Sequence, residues 1–193
     1  MSASPKLHRV ERILSDHAPE MPHTPKDTKH AAVAICLRPG NALELLFIRR
    51  AEHPRDPWSG HMAFPGGRVE PWDSGPLHAA VRETLEEVAV ELPREDLIGS
   101  LTPIRAPHRG KRAPLVVHPF VFRVPSSTRT RPDAREVQET MWIPLRFFYE
   151  SPRSEMNWEY GGQTFRLPSY DYDGRRIWGM TLRMLDELLD LLR

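Results

Sequence analysis

Apolar positions along the chain fall into short blocks separated by proline, glycine and asparagine. Leu7 to Leu14 has the spacing of a short helix. His17 to Lys29 carries three prolines among mostly polar neighbours, which predicts an extended arm. Two apolar runs follow, Ala31 to Leu37 and Leu43 to Ile48. Arg38-Pro39-Gly40-Asn41 lies between them, so a strand-turn-strand unit is expected. His53 to Gly60 reads as a proline-containing loop, and Phe64-Pro65-Gly66-Gly67 as a tight turn. In Pro76 to Val88, residues Leu77, Val81, Leu85 and Val88 recur at helical spacing and predict one buried stripe. Asp73 or Ser74 would cap that helix, with Pro76 in its first turn. Further strands are expected at Leu97 to Ile104, Leu115 to Val124, Met141 to Phe147 and Phe165 to Tyr172. Gly179 to Leu192 is a strongly apolar final helix. Strands mixed with a few amphipathic helices predict a layered α/β or α+β architecture. The proline-rich arm divides the chain into residues 1–29, a helix and arm, and 30–193, the main domain.

Composition narrows the function classes. The 193 residues suit one domain with modest extensions, and 39% hydrophobic content is enough for a core. A formal net charge of +1 argues against a strongly basic nucleic-acid binder. Cys36 is the only cysteine and lies in an apolar run, so an internal disulfide is excluded and a buried strand residue is expected. No stretch approaches the ~18 apolar residues of a membrane span, and the polar start has no signal-peptide centre. A cytoplasmic enzyme with no membrane partner is the default expectation, and a homodimer is compatible with it.

The chemistry concentrates in Arg82-Glu83-Thr84-Leu85-Glu86-Glu87. On a helix, Glu83, Glu86 and Glu87 stand at i, i+3 and i+4 and share one side. Like charges at that spacing cost roughly 0.2–0.5 kcal/mol even when exposed. Arg82 neutralises only part of the cluster. A divalent cation would do more, because magnesium takes oxygen ligands and is often held by a few carboxylates together with substrate phosphates. A solvated acidic helix face has the same pattern. The glycine turn just upstream favours the metal reading, since glycine lets backbone approach a ligand closely. No H-E-x-x-H, paired C-x-x-C or G-x-x-x-x-G-K-[ST] pattern points to zinc or to a P-loop.

Gly67, Arg82-Glu83, Glu86-Glu87 and Val90 resemble the Nudix box, G-x5-E-x7-R-E-U-x-E-E-x-G-U with U apolar. Asp73 stands where the box has glutamate, eight residues instead of seven separate it from Arg82, Thr84 replaces an apolar residue, and Ala89 replaces glycine. The one-residue insertion is a feature of one subgroup, the coenzyme A diphosphatase branch. That branch's upstream signature, L-L-T-x-T-R-[SA]-x3-R-x3-G-x3-F-P-G-G, is similar to Leu45-Leu46-Phe47-Ile48-Arg49-Arg50-Ala51, Arg55, Gly60 and Phe64 to Gly67. Phe47 and Arg49 replace the two threonines, and four residues separate Arg55 from Gly60. Glu136-Val137-Gln138-Glu139 to Leu145 and Ile177-Trp178-Gly179-Met180-Thr181 also resemble the branch.

The resemblance implies an α/β fold, the Nudix α/β/α sandwich around a central mixed sheet. It implies that Glu83, Glu86 and Glu87, with the carbonyl of Gly67, bind Mg2+ (or Mn2+), and that Arg82 orients the carboxylates. The general base would be a box glutamate such as Glu86, or Glu136 or Glu139 in the later loop. Arg50 and Arg55 suit phosphate oxygens, because guanidinium groups bind them with paired hydrogen bonds; ordinary surface salt bridging would equally account for either. The implied reaction is diphosphate hydrolysis of coenzyme A or its thioesters, giving 3′,5′-ADP and 4′-phosphopantetheine. A diphosphatase for ADP-ribose, nucleotide sugars or another nucleotide is the alternative, and a catalytically silent Nudix-fold binding module is a third. The intact glutamate trio weighs against the silent module.

Overall fold

In the computed structural model, which describes residues 6–53, 59–106, 113–160 and 162–193, the expected elements appear with several additions. The order is α1 (Leu7–Asp16), β1 (Lys29–Arg38), β2 (Glu44–Arg50), β3 (Met62–Ala63), β4 (Gly66–Arg68) and α2 (Pro76–Val88). Then come β5 (Leu97–Ser100), β6 (Ile104–Arg105), β7 (Leu115–Arg123), β8 (Val137–Pro144) and α3 (Leu145–Glu150). The chain continues through β9 (Ser154–Tyr160), β10 (Gln163–Tyr172), β11 (Arg175–Trp178) and α4 (Gly179–Leu191).

The period-two alternation of β1 separates two core layers. Ala32, Ala34 and Cys36 face the layer containing Ala79, Ala80 and Val88 of α2. Ile35 and Leu37 face the opposite layer, with Val10 and Leu14 of α1 and Leu182, Leu185, Leu188 and Leu189 of α4. The sheet between them is mixed and eight-stranded. Its main path is β3-β2-β1-β7-β5, with β4 beside β1, β6 beside β7 and β8 beside β2. β1 runs parallel to β7 from Lys29↔Leu115 to Leu37↔Arg123, and antiparallel to β2 and β4. A second antiparallel sheet has the order β11-β10-β9. The α/β/α sandwich is therefore present, and no described helix is long and apolar enough to cross a membrane.

Four local expectations need correction. The buried residues of α2 are Ala79, Ala80, Thr84, Glu87 and Val88, and Leu85 is 48% exposed. The small side chains of Ala79 and Ala80 meet the equally small Ala32, Ala34 and Cys36, and this close approach decides which arc turns inward. Gly75, not Asp73 or Ser74, occupies the helix N-cap, without a side-chain cap bond. The predicted strand at 97–104 is broken into β5 and β6 with Pro103 in the gap, since proline cannot donate to a ladder. The predicted strand at 141–147 begins earlier, at Val137, and stops at Pro144, where Leu145 starts a helical turn.

Candidate metal and diphosphate site

The Phe64 to Gly67 turn and α2 meet at one end of the sheet. β4 pairs with β1 through Ala32↔Gly67 and Val33↔Gly66, which fixes the turn against the central strand. A side chain at Gly66 would overlap the Ala32 carbonyl, and one at Gly67 would overlap the Glu83 carboxylate. Only glycine therefore lets α2 bring its carboxylates against the turn. The Gly66 N–H donates to Glu87 Oε2 at 2.9 Å.

Glu87 is 2% exposed. Burial pushes its carboxyl up to about 8, against the pull of the Gly66 N–H and the positive charge of Arg50. Burial also raises Glu83, opposed by the neighbouring Arg82. One oxygen each from Glu83, Glu87 and Glu136 lie within 4.8 Å of one another. Opposite oxygens around magnesium are separated by about 4.2 Å, so small side-chain rotations would close this set around an ion. Two of the three carboxyls resist ionisation because they are buried near like charge, and a hard divalent cation removes that penalty. The donor set fits such an ion.

Arg82 is the organising cation. It binds both oxygens of Asp73, from Nε at 3.0 Å and Nη2 at 2.9 Å, and reaches Glu83 and Glu86 through Nη1 at 3.0 Å each. Its Nη2 also donates to the Arg68 carbonyl, tying the helix to β4. The Asp73 side chain is fully buried and is held well below the usual carboxylate range, chiefly by Arg82. In the sequence, Asp73 reads as a departure from the box and as a candidate helix cap. Its carboxylate instead anchors Arg82. The signal was its place as the acidic residue of the box.

The other predicted site residues are distributed as follows. Glu86 is 54% exposed and pairs with Arg82, outside the carboxylate trio. Glu136 joins the trio, whereas Glu139 does not. Glu139 is held by Arg175, at 3.0 and 2.8 Å, and lies 3.6 Å from Arg49, its neighbour across β2 and β8. These arginines lower its carboxyl, Arg175 first, which makes it a weaker proton acceptor. Arg50 lies close enough to Glu87 for its charge to act there. Arg55 lies outside the described residues.

Residues 28–160 match the family model of the NUDIX domain. The chain belongs to the Nudix family. The Nudix chain is 31% identical over 152 residues to the human mitochondrial coenzyme A diphosphatase NUDT8, an alignment covering 77% of this chain and 62% of that protein. It is 32% identical over 166 residues to the uncharacterized Nudix hydrolase NudL of Yersinia enterocolitica, covering 84% and 80%. Among solved structures, the MutT/nudix family protein from Enterococcus faecalis superposes with a TM-score of 0.55 at 17% identity, covering 99% of this chain and 73% of that one. The NUDIX domain of Shewanella oneidensis NrtR, complexed with ADP ribose, gives 0.52 at 21% identity, covering 66% and 79%. These structures support the Nudix fold. The chain spans less than two thirds of the human relative. Nudix hydrolases act on diphosphate bonds and generally use divalent cations, and the carboxylates of α2 suit that chemistry.

Proposed function

We propose that this Nudix hydrolase cleaves the diphosphate of coenzyme A or its thioesters, releasing 3′,5′-ADP and 4′-phosphopantetheine or its acyl form. The observation that carries the chemistry is the convergence of Glu83, Glu87 and Glu136 beside the Gly66-Gly67 turn. The substrate reading rests on the Leu45 to Gly67 signature and on similarity to the human coenzyme A diphosphatase.

Glu83, Glu87 and Glu136 would hold Mg2+ or Mn2+, with Glu86 and the Gly67 carbonyl as further ligands. When bound, the cation would neutralise diphosphate oxygens and lower the pKa of a water. Arg82 holds Glu83 and Glu86 in place through Asp73, so these carboxylates need little reorganisation. Arg50 draws a diphosphate oxygen toward the trio. Glu136 is exposed and stands at the trio's open side, which suits a group that takes a proton from water; Glu139, bound by two arginines, is the lesser candidate.

The test is a panel of coenzyme A, an acyl-coenzyme A, 3′-dephospho-coenzyme A and ADP-ribose, each with Mg2+ or Mn2+, with products identified by mass spectrometry. Coenzyme A should be cleaved at the diphosphate and preferred. Glu83→Gln and Glu87→Gln should each lower kcat by about 100-fold or more while the far-UV spectrum is kept. Near-normal rates in both variants would refute metal-dependent catalysis by this cluster. Cleavage of ADP-ribose with coenzyme A untouched would move the substrate to another nucleotide.

A further inference from the structure

The carboxylate trio draws on two elements, and backbone hydrogen bonds join them. Glu83 and Glu87 stand on α2, whereas Glu136 ends the loop that leads into β8. A helix leaves its last carbonyls without partners of its own. Here the loop supplies them. The Arg131 N–H donates to the Val88 carbonyl at 2.8 Å, and the Asp133 N–H donates to the carbonyl of Glu87 itself at 2.9 Å. The Asp133 carbonyl in turn accepts the N–H groups of Glu136, at 2.9 Å, and Val137, at 2.8 Å. One residue therefore bonds directly to the backbones of two members of the trio.

The far side of Glu136 is fixed as well. Its carbonyl accepts the Ala51 N–H at 2.8 Å, which ties it to the end of β2. The β2–β8 ladder slips by one residue at this end, from Arg49↔Glu139 to Arg50↔Val137. Strand alternation alone would put Val137 on the face of Met141 and Ile143, in the α4 layer. The extra residue turns it over, and Val137 is buried in the α2 layer. β8 thus begins with an anchor under α2, and Glu136 is the residue just ahead of that anchor. The turn before it is shaped by the Asp133 side chain, whose Oδ1 accepts the Arg135 N–H at 3.0 Å. The Arg135 guanidinium, and then its N–H, hold the Asp133 carboxyl down to about 2, so the acceptor is ionised at neutral pH. That guanidinium is 86% exposed, so the ion pair adds little and the bond to the N–H is what bends the chain.

We propose that Asp133 is a positioning residue for Glu136: its side chain shapes the turn that sets the Glu136 carboxylate against Glu87. Asp133 stands outside the trio and acts through the residue it places. The assignment rests on the metal-binding reading of the trio and adds to it the residue that joins its two halves. The side chain acts as a hydrogen-bond acceptor and not as a charge, so asparagine would serve in its place.

Three readouts on the full chain test this. In metal-free protein, Asp133→Ala should speed amide exchange at Glu136 and Val137 by about tenfold, the worth of one hydrogen bond, and leave the amides of α2 near their starting rates. Asp133→Asn should keep wild-type exchange, and so should Arg135→Ala, which retains its backbone N–H. In calorimetry with Mn2+, Asp133→Ala should weaken binding, and the double variant Asp133→Ala/Glu136→Gln should bind no more weakly than Glu136→Gln alone. In turnover of coenzyme A, Asp133→Ala should lower kcat by about tenfold with KM in place, and Asp133→Asn should recover most of the loss. If the wild type neither binds Mn2+ nor cleaves coenzyme A, the proposed function fails, and the exchange series still decides the positioning role. Unchanged exchange at Glu136 and Val137 in Asp133→Ala overturns that role. So does full additivity of the two substitutions in Mn2+ affinity, which would show that Asp133 acts apart from Glu136.

Discussion

Single residues set the tolerances of this site. A methyl group at Gly67 would occupy the space of the Glu83 carboxylate. Gly67→Ala should therefore cost about 100-fold in kcat while the melting temperature moves little, because the new methyl meets only the far end of one side chain; steady-state kinetics beside a thermal melt checks this. Ala89 presents the opposite case. It closes α2 in the left-handed conformation, φ 56° and ψ 37°. That geometry costs a non-glycine residue about 1–2 kcal/mol, partly offset by glycine's greater freedom in the unfolded chain. Ala89→Gly should raise Tm by about 1–4 °C, measured by calorimetry; a fall would show that the Ala89 methyl packs favourably. Burial pushes the Cys36 thiol up to about 12. Reactivity needs the thiolate, so a thiol reagent at pH 8 should label the native protein negligibly and the denatured protein readily.

At the scale of elements, α2 was legible to the residue. Its bounds, Pro76–Val88, match the expected ones because proline at the start and the apolar period both mark it. Its inward face was not legible from apolarity alone. Leu85 looked like core, yet Ala80 and Thr84 face the sheet, because a partner strand of alanines and a cysteine selects small residues. The same limit hid β9 and β11. They are rich in polar and charged residues, with few apolar positions in alternation, and are held chiefly by β10. The carboxylates of α2 could be read from helical spacing, whereas Asp73's role required seeing the turn that returns it to Arg82. Asp73→Asn should lower Tm at neutral pH by removing half of a buried, two-pronged pair. The sign with pH follows from the lowered carboxyl. Its stabilisation is complete above the ordinary aspartate pKa of about 3.9 and disappears as pH falls through the lower native value. The gap in Tm between wild type and Asp73→Asn should therefore narrow below about pH 4; a gap that stays constant would assign the loss to packing.

Across the whole molecule, the carboxylate trio joins the helix of one half to the loop before β8 in the other. An ion held there would act on global stability. Mg2+ at about 100 times its Kd would add about 2.7 kcal/mol by linkage. Tm should rise with Mg2+ in wild type and hardly at all in Glu87→Gln, as a melt series across ion concentrations would show. The parallel pairing of β1 with β7 has a further consequence, for the order in which the protein assembles. Lys29 meets Leu115, so the central pairing closes a loop that contains the turn and all of α2. Such distant closure is slow to nucleate, whereas a helix forms from neighbours. On a ribosome, α2 emerges before the strand that will sit beside β1, and Glu136 emerges later still. The nascent chain thus carries the carboxylates of α2 for some time as an ordinary acidic helix. Hydrolytic competence would arrive late, when β7 docks and β8 brings Glu136 to complete the cluster.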